Sequence, residues 1–132
     1  MKLLRIAQDR AITKSELDVL EKKLDAIFIR VGIDIEFTKH FFERLNDPRN
    51  KEQITIEELS SLFNAEFKKY GKELAQLGLN KKDAEAIFKD LNSDINIPFI
   101  LNFDSRTGAI ELISKTIMRK PNFKTPDRVF PV

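Results

Sequence analysis

Apolar residues recur at helical spacing through the first quarter of the chain. Leu17, Leu20, Leu24, Ile27, Phe28 and Val31 fall on one stripe, the pattern of a helix with one buried face. Thr13 and Glu16 precede it as a capping-box pair and Gly32 offers a left-handed stop, so a helix is expected over 13–31. Residues 33–37 then alternate apolar and polar and lead into Thr38, an N-cap for a second, short helix ending near Leu45. In the segment 46–50, Pro48 disfavours helical geometry at Asp47, which marks a turn.

A second capping box, Thr55 with Glu58, opens a third helix with the stripe Ile56, Leu59, Leu62, Phe63, Phe67 and Tyr70. Gly71 is its expected stop, with a short helical turn over 72–77 to follow. Asn80 and Asp83 suggest a further capped turn, in which Ala84, Ile87, Phe88 and Leu91 continue the helical period. After Asn92 the period changes to two. Ile95, Ile97, Phe99, Leu101 and Phe103 form one set, Asn96, Pro98, Ile100 and Asn102 the other. Residues 104–108 make a turn with Gly108 at its positive-φ position, and 110–118 reads as the partner strand. Pro98 cannot donate to a ladder, so it is expected at the strand's beginning or on an edge. Three prolines extend the tail, where 128–130 adds one short strand. Helices first and a hairpin after them predict an α+β fold: N-terminal helices packed on a small antiparallel sheet made of the C-terminal hairpin and the tail strand.

Composition narrows the chemistry. A chain of 132 residues fits one domain, and 42% hydrophobic residues with eleven Phe supply a real core. There is no Cys, which excludes disulfides, thiolate catalysis and Cys-based zinc sites. The apolar run within residues 1–9 is too short for a signal peptide, and none approaches the ~18 residues of a membrane span. A cytoplasmic protein without membrane contact is therefore expected. The formal net charge is +2, but residues 114–132 carry five cations against one anion. Such a strip attracts phosphate in a salt-dependent way, or is simply a solvated tail.

No phosphate-binding loop, dinucleotide fingerprint, HExxH or nucleophile elbow is present. The acidic residues Asp83, Glu85, Asp90, Asp94 and Asp104 match no cation-binding loop and read as caps and turns, so no metal or cofactor is implied. The remaining constellation is His40, Arg44 and Arg49, with Lys115, Thr116, Arg119 and Lys120 later in the chain. Four residues apart on a helix, His40 and Arg44 share a face. Metal-free RNA cleavage needs a base for the 2′-hydroxyl, cations for the phosphorane and an acid for the leaving oxygen. On a strand, Lys115, Ile117 and Arg119 would share one face. His40 beside Phe41 and Phe42 equally fits a packing role.

The segment His40-Phe-Phe-Glu-Arg44, Arg49, the Leu62-Phe63 helix, the strand through Gly108, Leu112 and Lys115-Thr116, and Phe123-Lys124-Thr125-Pro126 together resemble the RelE-like ribonuclease superfamily. Within it, the closest likeness is to the early-mRNA endoribonucleases of tailed phages; small uncharacterised proteins of marine tailed phages also look similar. The resemblance spans about residues 36–130 and implies an N-terminal helical extension (1–35) before a RelE-like core (36–132). It implies a catalytic role for His40 and for Arg44 one turn later; the basic strip adds the expectation of Arg119 as a third catalytic residue that stabilises the phosphate, with Arg49, Lys115, Lys120 and Lys124 contacting RNA, on the ribosome or free. It also implies a phage protein acting in the host cytoplasm. Asn64 stands where that family has a second histidine, and Asn cannot exchange a proton near neutral pH. The competing expectation is a non-enzymatic interaction or virion-associated protein on the same fold, with a protein partner. A helix-turn-helix fits less well, because the ten residues between the second and third helices are long for one. Oligomeric state is not set by the sequence.

Overall fold

Thr13 caps the first helix, α1 (Lys14–Phe28), through a complete capping box with Glu16, and Gly32 at φ 76° ends a final tightened turn over Ile29–Val31. Strand β1 (Ile33–Phe37) follows, then α2 (Lys39–Leu45) capped by Thr38, a short 3-10 turn (Pro48–Asn50) and α3 (Ile56–Asn80) behind the Thr55–Glu58 box. Five strands complete the chain: β2 (Ala84–Lys89), β3 (Ile95–Asp104), β4 (Ala109–Ser114), β5 (Met118–Arg119) and β6 (Arg128–Pro131). This computed structural model describes residues 10–132; the segment 1–9, read above for a signal peptide, lies outside the described residues.

The α+β class and the packing of helices on a sheet are as the sequence leads one to expect. The sheet is larger than a hairpin and tail, and it is mixed. Its order is β1-β4-β3-β2-β6 with β5 beside β3, and the pairs β1–β4 and β2–β6 are parallel. One face carries Ile33, Ile35, Ala84, Ala86, Phe88, Ile97, Phe99, Leu101, Ile110 and Leu112 into a single core with α1 and α3. Aromatic edges knit the layers, with Phe28 against Phe67, Phe63 against Phe88 and Tyr70 against Phe130. Leu17, Leu20, Leu24 and Phe28 of α1 are buried in that same core, and a boundary at 35/36 would cut β1 in two. The N-terminal helix is thus part of the core and no appendage to it.

Two sequence readings are overturned between 71 and 91. Gly71 does not stop the helix: it is buried mid-helix with the Phe67 ring 3.4 Å from where a Cβ would stand, and α3 runs on to Asn80. Leu74 and Gly78 extend the buried stripe, and a Cβ on Gly78 would lie 2.8 Å from an Ile110 methyl. The glycine lets α3 lie directly on β4. Ala84–Lys89 is a strand, not a helix. It sits between β3 and β6 with Ala86, Ile87 and Phe88 all buried. A strand buried on both faces reads as a continuous apolar run, and periodicity cannot separate that from a buried helix.

The expected partner strand 110–118 is also broken. β4 ends at Ser114, residues 115–117 leave the ladder, and the chain rejoins β3 at Met118–Arg119. Lys115 N–H donates to Pro98 C=O (3.0 Å) on the edge where Pro98 lacks its own donor. Pro98 is therefore tolerated well inside a central strand because the ladder is interrupted opposite it. Lys115, Ile117 and Arg119 do not share one open face, since Ile117 is buried. Phe103 leaves the core near the hairpin tip and is exposed.

From β5 the chain must cross β3 and β2 to reach β6. Asn96 donates to Lys120 C=O and Lys89 Nζ to Phe123 C=O, which holds the crossing on the face away from the helices. Among the described residues no helix is long and apolar enough to cross a membrane.

Candidate functional site

Two side chains bring distant segments together. Thr38 Oγ1 accepts from Phe41 N–H (3.0 Å), so α2 starts there, and the same hydroxyl donates to Lys115 C=O (3.0 Å). Asn50, buried after α2, donates to Arg44 C=O (2.9 Å) and accepts from Arg119 N–H (3.0 Å). The C-terminal end of α2 is thereby stitched to β5, and the space between them is a cleft of about 710 Å³. That size lies within the range of small-molecule sites. One bank carries His40, Arg44, Asp47, Arg49 and Lys51; the other is the segment 116–121 with Arg119 and Lys120.

Five cations and one carboxylate face this cleft, besides His40. Asp47 gathers two of them: its Oδ2 accepts from Arg44 Nη1 (3.0 Å) and Arg49 Nη2 (2.9 Å). Its Oδ1 accepts from Arg49 N–H (2.8 Å), capping the 3-10 turn. One carboxylate therefore holds two guanidiniums side by side and leaves the group net positive. Lys51 and Lys120 are exposed and make no ion pair among the described residues. A phosphate chain entering here meets cations from both banks.

His40 is exposed on the rim, not packed beneath the sheet; Phe41 takes the buried position beside it. Arg44, Arg49 and Lys120 join it in the cleft. Arg119 is there too, but in a different capacity. Its Nη1 and Nη2 grip Glu58 (3.0 and 2.8 Å), and its remaining N–H groups donate to the carbonyls of Glu52, Ser93 and Gln53. All five guanidinium donors are used, so none is left for a phosphate. Burial pushes the Glu58 carboxyl up, yet hydrogen bonds from Arg119 and the Thr55 backbone outweigh it and hold the group below its usual value. The expected catalytic arginine is a structural clasp.

Lys115 and Lys124 do not line the cleft. Lys115 pairs with Glu85 of β2 (2.9 Å), and Lys124 is exposed in the crossing segment. Asn64 is also elsewhere, its amide donating to Ser60 C=O on its own helix (2.7 Å). Three contributors escaped the sequence reading: Asp47, Asn50 and Lys51. The Asp-Pro step marked Asp47 only as a turn residue, and nothing local signalled the burial of Asn50 or the direction of Lys51. Among the described residues no three His or acidic side chains gather where a metal ion would sit.

No protein-family model, no curated protein and no solved structure was found to match this chain.

Proposed function

We propose that this chain binds RNA by its phosphate backbone in the cleft and cleaves it there without a metal. The observation carrying the reading is that His40, Arg44, Arg49, Lys51 and Lys120, from two distant segments, line one cleft. Its charge suits a polyanion, and imidazole is the side chain best suited to move a proton near neutrality. In the proposed reaction His40 takes the proton of a ribose 2′-hydroxyl and that oxygen attacks the adjacent phosphorus. A 2′,3′-cyclic phosphate forms, and the 5′-oxygen leaves with a proton drawn from water. Arg44 and Arg49, aligned by Asp47, stabilise the phosphorane. The RelE-like resemblance of residues 36–130 points to the same chemistry, with the arginine role moved from Arg119 to Arg49.

The test is digestion of mixed cellular RNA by the purified chain in EDTA, beside His40→Ala, with and without ribosomes. Cleavage that vanishes in the variant is the expected result. Equal cleavage by both proteins, or none by either, overturns the catalytic part.

A second reading is binding without cleavage, as an interaction or virion-associated phage protein. One observation favours it: His40 is the only imidazole in the chain and, among the described residues, makes no hydrogen bond to a side chain that would orient it. RNA retained but never cut would establish this reading.

A further inference from the structure

Lys51 has a backbone conformation that its residue type does not favour. Its φ is 65° and its ψ −58°, and Glu52 N–H donates to Asn50 C=O across it at 2.7 Å. This is a γ-turn of the rare, strained hand, which glycine adopts more easily than any residue with a Cβ. The surroundings prevent relaxation. Lys51 N–H donates to Pro48 C=O (2.9 Å), and the preceding Asn50 is fixed by Arg44 C=O and Arg119 N–H. Yet the position holds a lysine, exposed at the cleft where, among the described residues, Arg44, Arg49 and Lys120 have only Asp47 lining the cleft as counter-charge apart from the Arg119–Glu58 clasp. Of the four residues other than glycine with positive φ among the described residues, Lys51 alone lines the cleft, and backbone strain held by its surroundings tends to cluster at functional positions.

The rest of the lining says what would be contacted. Among the described residues the His40 imidazole is the one aromatic ring lining the cleft, with no Phe, Tyr or Trp there; the apolar part is Ile117, Met118 and Pro121. Single-stranded nucleic acid is gripped by stacking where rings are offered and by its phosphates where they are not. Resting on the RNA-binding reading, we infer that Lys51 is a phosphate contact aimed by its γ-turn, and that the cleft reads the backbone regardless of base.

The experiment measures anisotropy of labelled oligo-U and oligo-A RNA on the full chain across a salt series, with Lys51→Gln and Lys51→Gly. Lys51→Gln keeps the turn and removes the charge. It is expected to bind both RNAs about fivefold more weakly, with a salt slope smaller by about 0.7, one phosphate's share on a single strand. Lys51→Gly is expected to bind as weakly while raising the urea midpoint, because glycine relieves the turn. Wild-type binding with an unchanged slope in Lys51→Gln removes Lys51 from the interface and leaves the RNA reading standing. Strong preference for one RNA overturns base independence. Failure of the wild type to bind either RNA at low salt overturns the RNA reading, and this inference with it.

Discussion

Arg119 and Glu58 form a two-point ion pair, with Nη2 to Oε1 at 2.8 Å and Nη1 to Oε2 at 3.0 Å. Glu58 is also the second half of the Thr55 capping box, so one carboxylate starts α3 and anchors β5 together. The clasp forms one wall of the cleft, and its cation is consumed in forming it.

Replacing Arg119 by lysine is therefore a stability experiment before it is a binding one. A single ammonium cannot reproduce five donors aimed at Glu58 and three carbonyls. Arg119→Lys is expected to cost about 2–3 kcal/mol in urea denaturation, in line with hydrogen bonds to a charged group that is not fully buried. The salt slope of RNA binding should stay as in the wild type. An undiminished urea midpoint would mean that the clasp does not hold the fold together.

Lys115 and Lys120 stand five residues apart and should behave oppositely. Lys115 is paired with Glu85 outside the cleft, while Lys120 lines it. Lys115→Ala is expected to leave RNA affinity within twofold of wild type, and Lys120→Ala to weaken it about fivefold, roughly one lost phosphate contact. Equal losses in a titration at low salt would mean that the strip acts as a diffuse cloud of charge and not through the cleft.

Glu66 gives the fold a pH dependence unrelated to RNA. It is fully buried on α3, and among the described residues neither carboxyl oxygen has a hydrogen-bond partner within 3.5 Å. Burial pushes its pKa up to about 9; the nearby Lys89 backbone and Lys69 oppose the shift without cancelling it. In the unfolded chain the group returns to its ordinary value near 4.5. Between those values the folded state keeps a proton that the unfolded state has released. Stability should therefore fall as pH rises through this window, by roughly 1 kcal/mol per pH unit, and level off above it. Glu66→Gln cannot ionise and should flatten the curve. Urea midpoints at about pH 5, 7 and 9 decide it; parallel curves for the two proteins would show that Glu66 does not carry the effect.

Elements set by neighbours within four residues were legible in the chain. The Thr13–Glu16 and Thr55–Glu58 boxes, the Thr38 cap and the Gly108 turn all depend on local hydrogen bonds and local dihedral preference. The misread stretch, 71–91, depends on what lies against it. Gly71 continues the helix because Leu74 and Gly78 have a sheet to press on, and 84–89 is extended because β3 and β6 flank it. Neither fact is encoded at short range.

The site divides the same way. Sequence alone marked His40 and Arg44 as neighbours on one helical face, and marked the C-terminal strip as basic. Tertiary structure decided which cations meet. Asn50 and Arg119 are 69 residues apart, yet their hydrogen bond closes the cleft wall. Arg119 looked like a free cation because Glu58 and the carbonyls of Glu52, Gln53 and Ser93 are remote along the chain. Charge and periodicity are properties of residues, readable one at a time; whether a charge is spent or free depends on partners that only long-range packing brings within 3 Å.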